Sequence, residues 1–309
     1  MFKPELTVMK DHKLPRRNFL KSTSTCLAGL SCITWPEVLA ASHLSPLATP
    51  TIQEIVDLII SAVPGGIKND TVDTFKSGDP SQPCTGIVTT FMATAEVIKK
   101  AADLGANFII THEPTYYNHL DEVDWLKDDP VYNFKKTLIE KNGITIWRFH
   151  DYWHTVQPDG ILHGLIESLG WEQYEIKNQK VITIPQTTVR ELAVFFKEKM
   201  GLIRPFIVGD PNMICGSVAL LPGAWGGKNQ INFLSSEQFD VMVVGEVAEW
   251  ETSEYIRDAT FGGIKRSLII LGHAVSEEPG MEYLVEWLKL KVSEIPIHHV
   301  AAQEAFIPV

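Results

Sequence analysis

Two patterns of apolar and polar positions alternate along this chain. Short, nearly unbroken apolar runs occupy residues 86–91, 107–111, 144–149, 181–185, 217–221, 241–244 and 267–271. Runs of this kind, without the polar alternation of a half-exposed strand, predict strands covered on both faces. Between them lie stretches with apolar residues three and four apart, which predict helices at 95–104, 131–141, 160–169, 188–200 and about 279–291. An earlier helix opens at Thr51, where Glu54 completes a capping box and Ile55, Leu58, Ile59 and Val63 form the apolar stripe. Strand-helix alternation predicts an α/β fold with mostly parallel sheets. The pattern restarts near Glu175, which predicts two interlinked α/β domains. Residues 50–175 together with 265–309 form one, and 176–264 form a second, inserted between them. Residues 41–50, rich in Ser, Ala and Pro, read as a linker.

The chain has 309 residues, 45% hydrophobic and 21% charged, a globular composition that excludes disordered, collagen-like and coiled-coil classes. No apolar stretch approaches the roughly 20 residues of a membrane span. The first forty residues follow a different logic. An Arg16-Arg17 pair precedes Phe19-Leu20-Lys21, an uncharged segment runs from 22 to 36, and Val38-Leu39-Ala40 offers a small-residue cleavage site. That order reads as a twin-arginine export signal at 1–40, with a periplasmic destination for the folded protein. Cleavage would remove six basic and three acidic residues, taking the net charge from −11 to −14. Cys84 and Cys215 would remain, able to pair in an oxidising compartment or to persist as separate thiols. A nucleic-acid partner needs a basic face, so the acidic balance excludes that class and favours cations.

The chemistry-bearing residues fall at strand ends. Three apolar runs finish in histidine: Thr111-His112, Phe149-His150 and Gly272-His273. Glu113 follows the first, Asp151 the second, and Glu277 lies four residues after the third, while His154 lies four beyond His150. Ligand sites of open α/β sheets form outside the carboxyl ends of strands. Imidazole and carboxylate together suit divalent first-row metals such as Zn, Mn or Fe. No Gly-x-Ser-x-Gly elbow offers a competing nucleophile.

From about Thr51 onward the chain resembles the NIF-three-like family, also labelled GTP cyclohydrolase type 2, a group of dinuclear-metal proteins. The resemblance rests on residues 106–114, on His150-Asp151-Tyr152-Trp153-His154 continuing to Gly170, on residues 272–280, and on Gly245-Glu246. It implies metal ligands at His112, Glu113, His154, His273 and Glu277. Two positions depart from the family motif. Glu113 stands where the family has the second His of His-His-Pro, and His154 stands where it has a bridging Asp. Because imidazole cannot bridge through two oxygens, Glu113 is expected to take over bridging or charge balance, with a one-metal site as the alternative. Glu246, His150 and Asp151 are candidates for orienting a ligand or accepting a proton, His150 by orientation rather than direct coordination. The resemblance implies one or two divalent ions per chain and a ring-shaped homohexamer. The expected activity is hydrolysis of a phosphoester, nucleotide or related small substrate through metal-activated water. A non-catalytic metal-binding assembly protein is the competing expectation. Cyclohydrolase activity is discounted, since an exported protein meets little GTP.

Overall fold

The computed structural model describes residues 49–307 apart from 67, 178, 179 and 203, so the expected signal segment lies outside the described residues. Thr51 caps α1 (Ile52–Ser61) with the capping box read from the sequence. The buried stripe is Ile52, Ile55, Val56 and Ile59, and Leu58 points outward, so the helix is rotated from the expected face by about one position. The first sheet then grows from β1 (Phe75–Ser77), β2 (Ile87–Thr90), β3 (Phe108–Thr111) and β4 (Thr145–Arg148). Helices α2 (Ala95–Asp103) and α3 (Pro130–Lys141) connect the parallel strands. Every residue of β2, β3 and β4 is buried, which explains their unbroken apolar character. Short α4 (Asp151–Thr155) and then α5 (Gly160–Leu169) lead into the second half.

That half comprises β5 (Ile176–Lys177), β6 (Val181–Thr188), α6 (Val189–Met200), β7 (Phe206–Val208), β8 (Ile214–Leu221), α7 (Gly227–Ser236), β9 (Val241–Val244), α8 (Glu254–Phe261) and β10 (Ser267–Ile270). The chain closes with α9 (His273–Lys289) and β11 (Ile297–His299). The first sheet has the order β1-β4-β3-β2-β11 and is parallel except for β1. The second, β5-β6-β8-β9-β10-β7, is mixed: β8, β9 and β10 are parallel, while β5, β6 and β7 run antiparallel to their neighbours. The mostly parallel character therefore holds for the first sheet only. β6 continues past Pro185 to Thr188, with a register shift between Thr183 and Thr187. Proline cannot donate to a ladder and sits where the pairing is interrupted.

The domain boundary expected at 264/265 falls just before β10. β10 pairs in parallel with β9, so it belongs to the second sheet, and the chain returns to the first only through α9 and β11. α9 also starts at His273 rather than near Pro279, which lies inside the helix without breaking it. α5 and α9 cross through glycines. A Cβ on Gly164 would lie 2.4 Å from the Pro279 carbonyl oxygen, and one on Gly280 would lie 2.5 Å from the Ile161 Cα. Only glycine permits that approach, which joins the two halves.

Strand registers place the site. In the first sheet Thr90, Thr111 and Arg148 are neighbours, so His112 and His150 emerge side by side beyond the carboxyl ends of β3 and β4. In the second, Leu221, Val244 and Ile270 are level, so Gly223, Glu246 and His273 emerge together. The carboxyl ends of both sheets face one region.

Candidate metal centre

His112 is fully buried at the end of β3, and burial together with the neighbouring imidazoles of His150 and His154 pushes its pKa well below the ordinary value. It is therefore neutral at physiological pH. Its Nδ1 lies 3.2 Å from the Phe149 carbonyl, which can only accept, so Nδ1 carries the proton and Nε2 presents a lone pair. That Nε2 is buried without a hydrogen-bond partner. It lies 3.6 Å from Glu277 Oε2.

The same arrangement recurs at three more imidazoles. His150 Nδ1 is 3.0 Å from Asp151 Oδ1, His154 Nδ1 is 3.0 Å from Asp159 Oδ2, and His273 Nδ1 is 3.2 Å from Glu246 Oε2. An acceptor on Nδ1 fixes the ring and leaves Nε2 to the centre, which is how metal-binding histidines are held. The rings of His112 and His150 stack at 4.5 Å between centroids, and His154 stands edge-on to both. Donor atoms of His112, His150 and His154 lie within 4.8 Å of one another, as do those of His112, Glu113 and Glu277. Two donor groups thus share His112.

The carboxylates are set by their own contacts. Arg148, fully buried at the end of β4, donates to the carbonyls of His112 and His119 and, through Nη2, to Glu113 Oε2 at 3.2 Å. Glu113 Oε1 is left 3.7 Å from His150 Nε2 and 3.4 Å from His273 Nε2. Burial works against the Glu113 charge, yet His273 and Arg148 hold its carboxyl below the usual range. Glu277 is buried one helical turn after His273, and its Oε2 lies 3.1 Å from His273 Nε2; burial pushes its pKa up. Burial alone would lower His273, but Glu113 and Glu277 more than reverse that, raising it to about 10. The carboxylate pair requires a positive charge at this point, which a proton on His273 or a divalent cation can supply.

Supporting contacts explain why these elements hold their positions. Asp73 accepts the backbone N–H groups of His150, Asp151 and Tyr152, fixing the first turn of α4. Asp151 Oδ1 faces His150, while Oδ2 accepts from Thr71 and Val72; despite partial burial, these hydrogen bonds bring its pKa down to about 2. Both its oxygens are engaged, so Asp151 holds His150 rather than reaching the centre as a base. Asp159 caps α5 through Oδ1 while Oδ2 holds His154. Gly223, at φ +78, leans against Glu277, where a Cβ would lie 2.0 Å from Oε1.

All five residues expected as ligands therefore meet: His112, Glu113, His154, His273 and Glu277. His150 lies with them, one ring nitrogen within 4.8 Å of donor atoms of His112 and His154, and Glu246 stands at the rim, 57% exposed. Asp73 and Asp159 were not singled out from the sequence. An Asp just before an apolar helical stretch was the available signal at Asp159. Cys84 and Cys215 lie in different cores and are free thiols, pushed up to about 11 by burial.

A family model described as Duf34/NIF3 (NGG1p interacting factor 3) matches residues 51–305. The chain belongs to the Duf34/NIF3 family. A Clostridium perfringens relative named "GTP cyclohydrolase 1 type 2 homolog" is 23% identical over 270 residues, covering 83% of this chain and 98% of the relative. Among solved structures, a Bacillus cereus protein related to NIF3 superposes with a TM-score of 0.68 at 17% identity, covering 84% of this chain and all of that one. A Staphylococcus aureus hypothetical protein does so with a TM-score of 0.67 at 19% identity, covering 84% of this chain and 99% of that one. At these identities the structural likeness speaks for the NIF3 fold.

Proposed function

We propose that this NIF3-family chain binds one or two divalent cations and hydrolyses a phosphoester, nucleotide or related small anionic substrate. One observation carries the reading: four imidazoles have Nδ1 held by an acceptor, and the buried Nε2 of His112 has no hydrogen-bond partner. His112, His150 and His154 would form one donor group, and His112, Glu113 and Glu277 the other, with His273 beside both carboxylates. Arg148 Nη2 donates to Glu113 Oε2, which leaves Oε1 as the Glu113 oxygen facing the imidazoles of His150 and His273. A bound divalent ion supplies a water of lowered pKa and stabilises charge developing on a phosphoryl oxygen. Glu246 lies 3.2 Å from His273 Nδ1, on the side of the ring away from Glu113 and Glu277, so it is suited to holding that imidazole in place. The twin-arginine segment supports a periplasmic setting, which lysine replacement of Arg16 and Arg17 with fractionation would test.

The test combines metal analysis with phosphatase and phosphodiesterase assays after addition of manganese, zinc or iron. Turnover lost in His112→Ala and His273→Ala supports the enzyme. Tight metal retention without turnover on a broad panel overturns it in favour of a metal-binding assembly protein. That second reading draws on exposed apolar side chains along one stretch, Trp250, Tyr255, Phe261 and Ile264. Clearly one equivalent of metal per chain would overturn bridging by Glu113.

A further inference from the structure

Carboxylates dominate the surroundings of the centre. Glu246, Asp151 and Asp159 each lie against one of its imidazoles, with Glu113 and Glu277 inside. Arg148 is buried and committed to Glu113 and two carbonyls. An anion arriving from solvent is repelled by this field before it reaches a cation.

Lys180 alters that field. It is the residue before β6, and its Nζ lies 5.2 Å from the centroid of the Trp225 ring. Trp225 is fixed in turn: Nε1 donates to the Pro222 carbonyl at 2.9 Å, and its own carbonyl accepts from Asn229 at 3.0 Å. The turn that carries Trp225 also carries Gly223, packed against Glu277. The Lys180 backbone lies at the carboxyl end of β8, where its carbonyl accepts the Leu220 N–H at 2.9 Å. Through Trp225 and the turn that carries Gly223, the lysine is tied to the Glu277 side of the centre. An ammonium over an indole face keeps its charge while losing some freedom, which suits a fixed anion anchor.

We propose that Lys180, positioned by Trp225, engages a second negative charge on a substrate whose first anionic group lies at the metal centre. The inference rests on the metal-centre reading and deepens it: substrates would be small polyanions with separated charges, such as a diphosphate, in preference to single oxyanions. Lys180 is then a specificity-determining residue and Trp225 a positioning residue.

Titration calorimetry on manganese-loaded protein with pyrophosphate and with inorganic phosphate tests this. Wild type should bind pyrophosphate more tightly than phosphate. Lys180→Met should weaken pyrophosphate by about tenfold, the scale of one charge-assisted contact, and phosphate much less, with manganese affinity unchanged. Lys180→Arg should recover most of the loss, and Trp225→Leu should fall between. Pyrophosphate affinity should also decline less steeply with added salt in Lys180→Met than in wild type. Equal pyrophosphate affinity in wild type and Lys180→Met overturns the proposal. So does a change in manganese affinity alone, which would make Lys180 only a support of the metal donors. Manganese uptake by wild type without binding of either oxyanion overturns the Lys180 assignment and leaves the metal centre standing. No manganese uptake overturns both.

Discussion

His112 Nε2 faces Glu277 Oε2 across 3.6 Å, and burial keeps His112 neutral, so a lone pair confronts a carboxylate. With Glu277 ionised, as the adjacent His273 favours, both atoms accept and neither donates. A cation between them converts a mutual repulsion into two bonds. Metal loading should therefore stabilise the fold, by about 2.7 kcal/mol when free metal is a hundred times its dissociation constant. The shift in thermal midpoint on adding metal, reversed by chelator, measures it. His112→Ala should abolish that shift, and an unchanged shift would remove His112 from the ligand set.

Asp159 has two tasks that separate experimentally. Asp159→Ala removes the α5 cap and should cost about 1 kcal/mol in metal-free protein, read from the urea midpoint. It also frees the His154 ring, which should weaken metal binding by roughly 10–100-fold. A stability loss with unaltered metal affinity would show that the His154 contact does not matter for binding.

The α5–α9 crossing predicts a local intolerance. Gly164→Ala would drive a methyl group into the Pro279 carbonyl and the Gly280 backbone, and overpacking of that kind costs roughly 1–3 kcal/mol. Exposed Lys100→Ala in α2 should shift the same urea midpoint by no more than about 0.5 kcal/mol. Equal effects would mean the crossing relaxes freely.

Lys135 supplies a pH dependence of known sign. Its side chain is buried against Tyr116 and Tyr117, donates to the Thr115 carbonyl, and burial lowers its pKa from 10.5 to about 8. Between those values the unfolded chain binds the proton more than the folded one, so this group makes stability rise with pH across that window. Raised groups such as His273 act in the opposite sense over part of it. The difference between the wild-type and Lys135→Met stability profiles in metal-free protein isolates the term. That difference should move in favour of wild type from about pH 8 to 10.5. A flat difference would contradict the burial argument.

Much of this was legible in the sequence because strand direction and side-chain chemistry coincide. Apolar runs ending in His112, His150 and His273 could be read as parallel strands delivering side chains to one edge, and these three imidazoles lie around Glu113 and Glu277. Sheet membership was not readable, since the apolar run of β10 fits either sheet and only pairing with β9 decides. Pro279 concealed the true start of α9, because proline more often begins a helix than continues one. Val56 and Leu58 are interchangeable by hydropathy, so the rotation of α1 needed the packing partners. Asp73 lies in no periodic element, and its three backbone hydrogen bonds depend on the start of α4, more than seventy residues away.

The donors come from two separate sheets: His112, Glu113, His150 and His154 follow strands of the first, and His273 and Glu277 follow the last parallel strand of the second. Neither half brings all six of these side chains. An ion lodged there would work as a clasp, fastening the edge of one sheet to the edge of the other beside the glycine crossing.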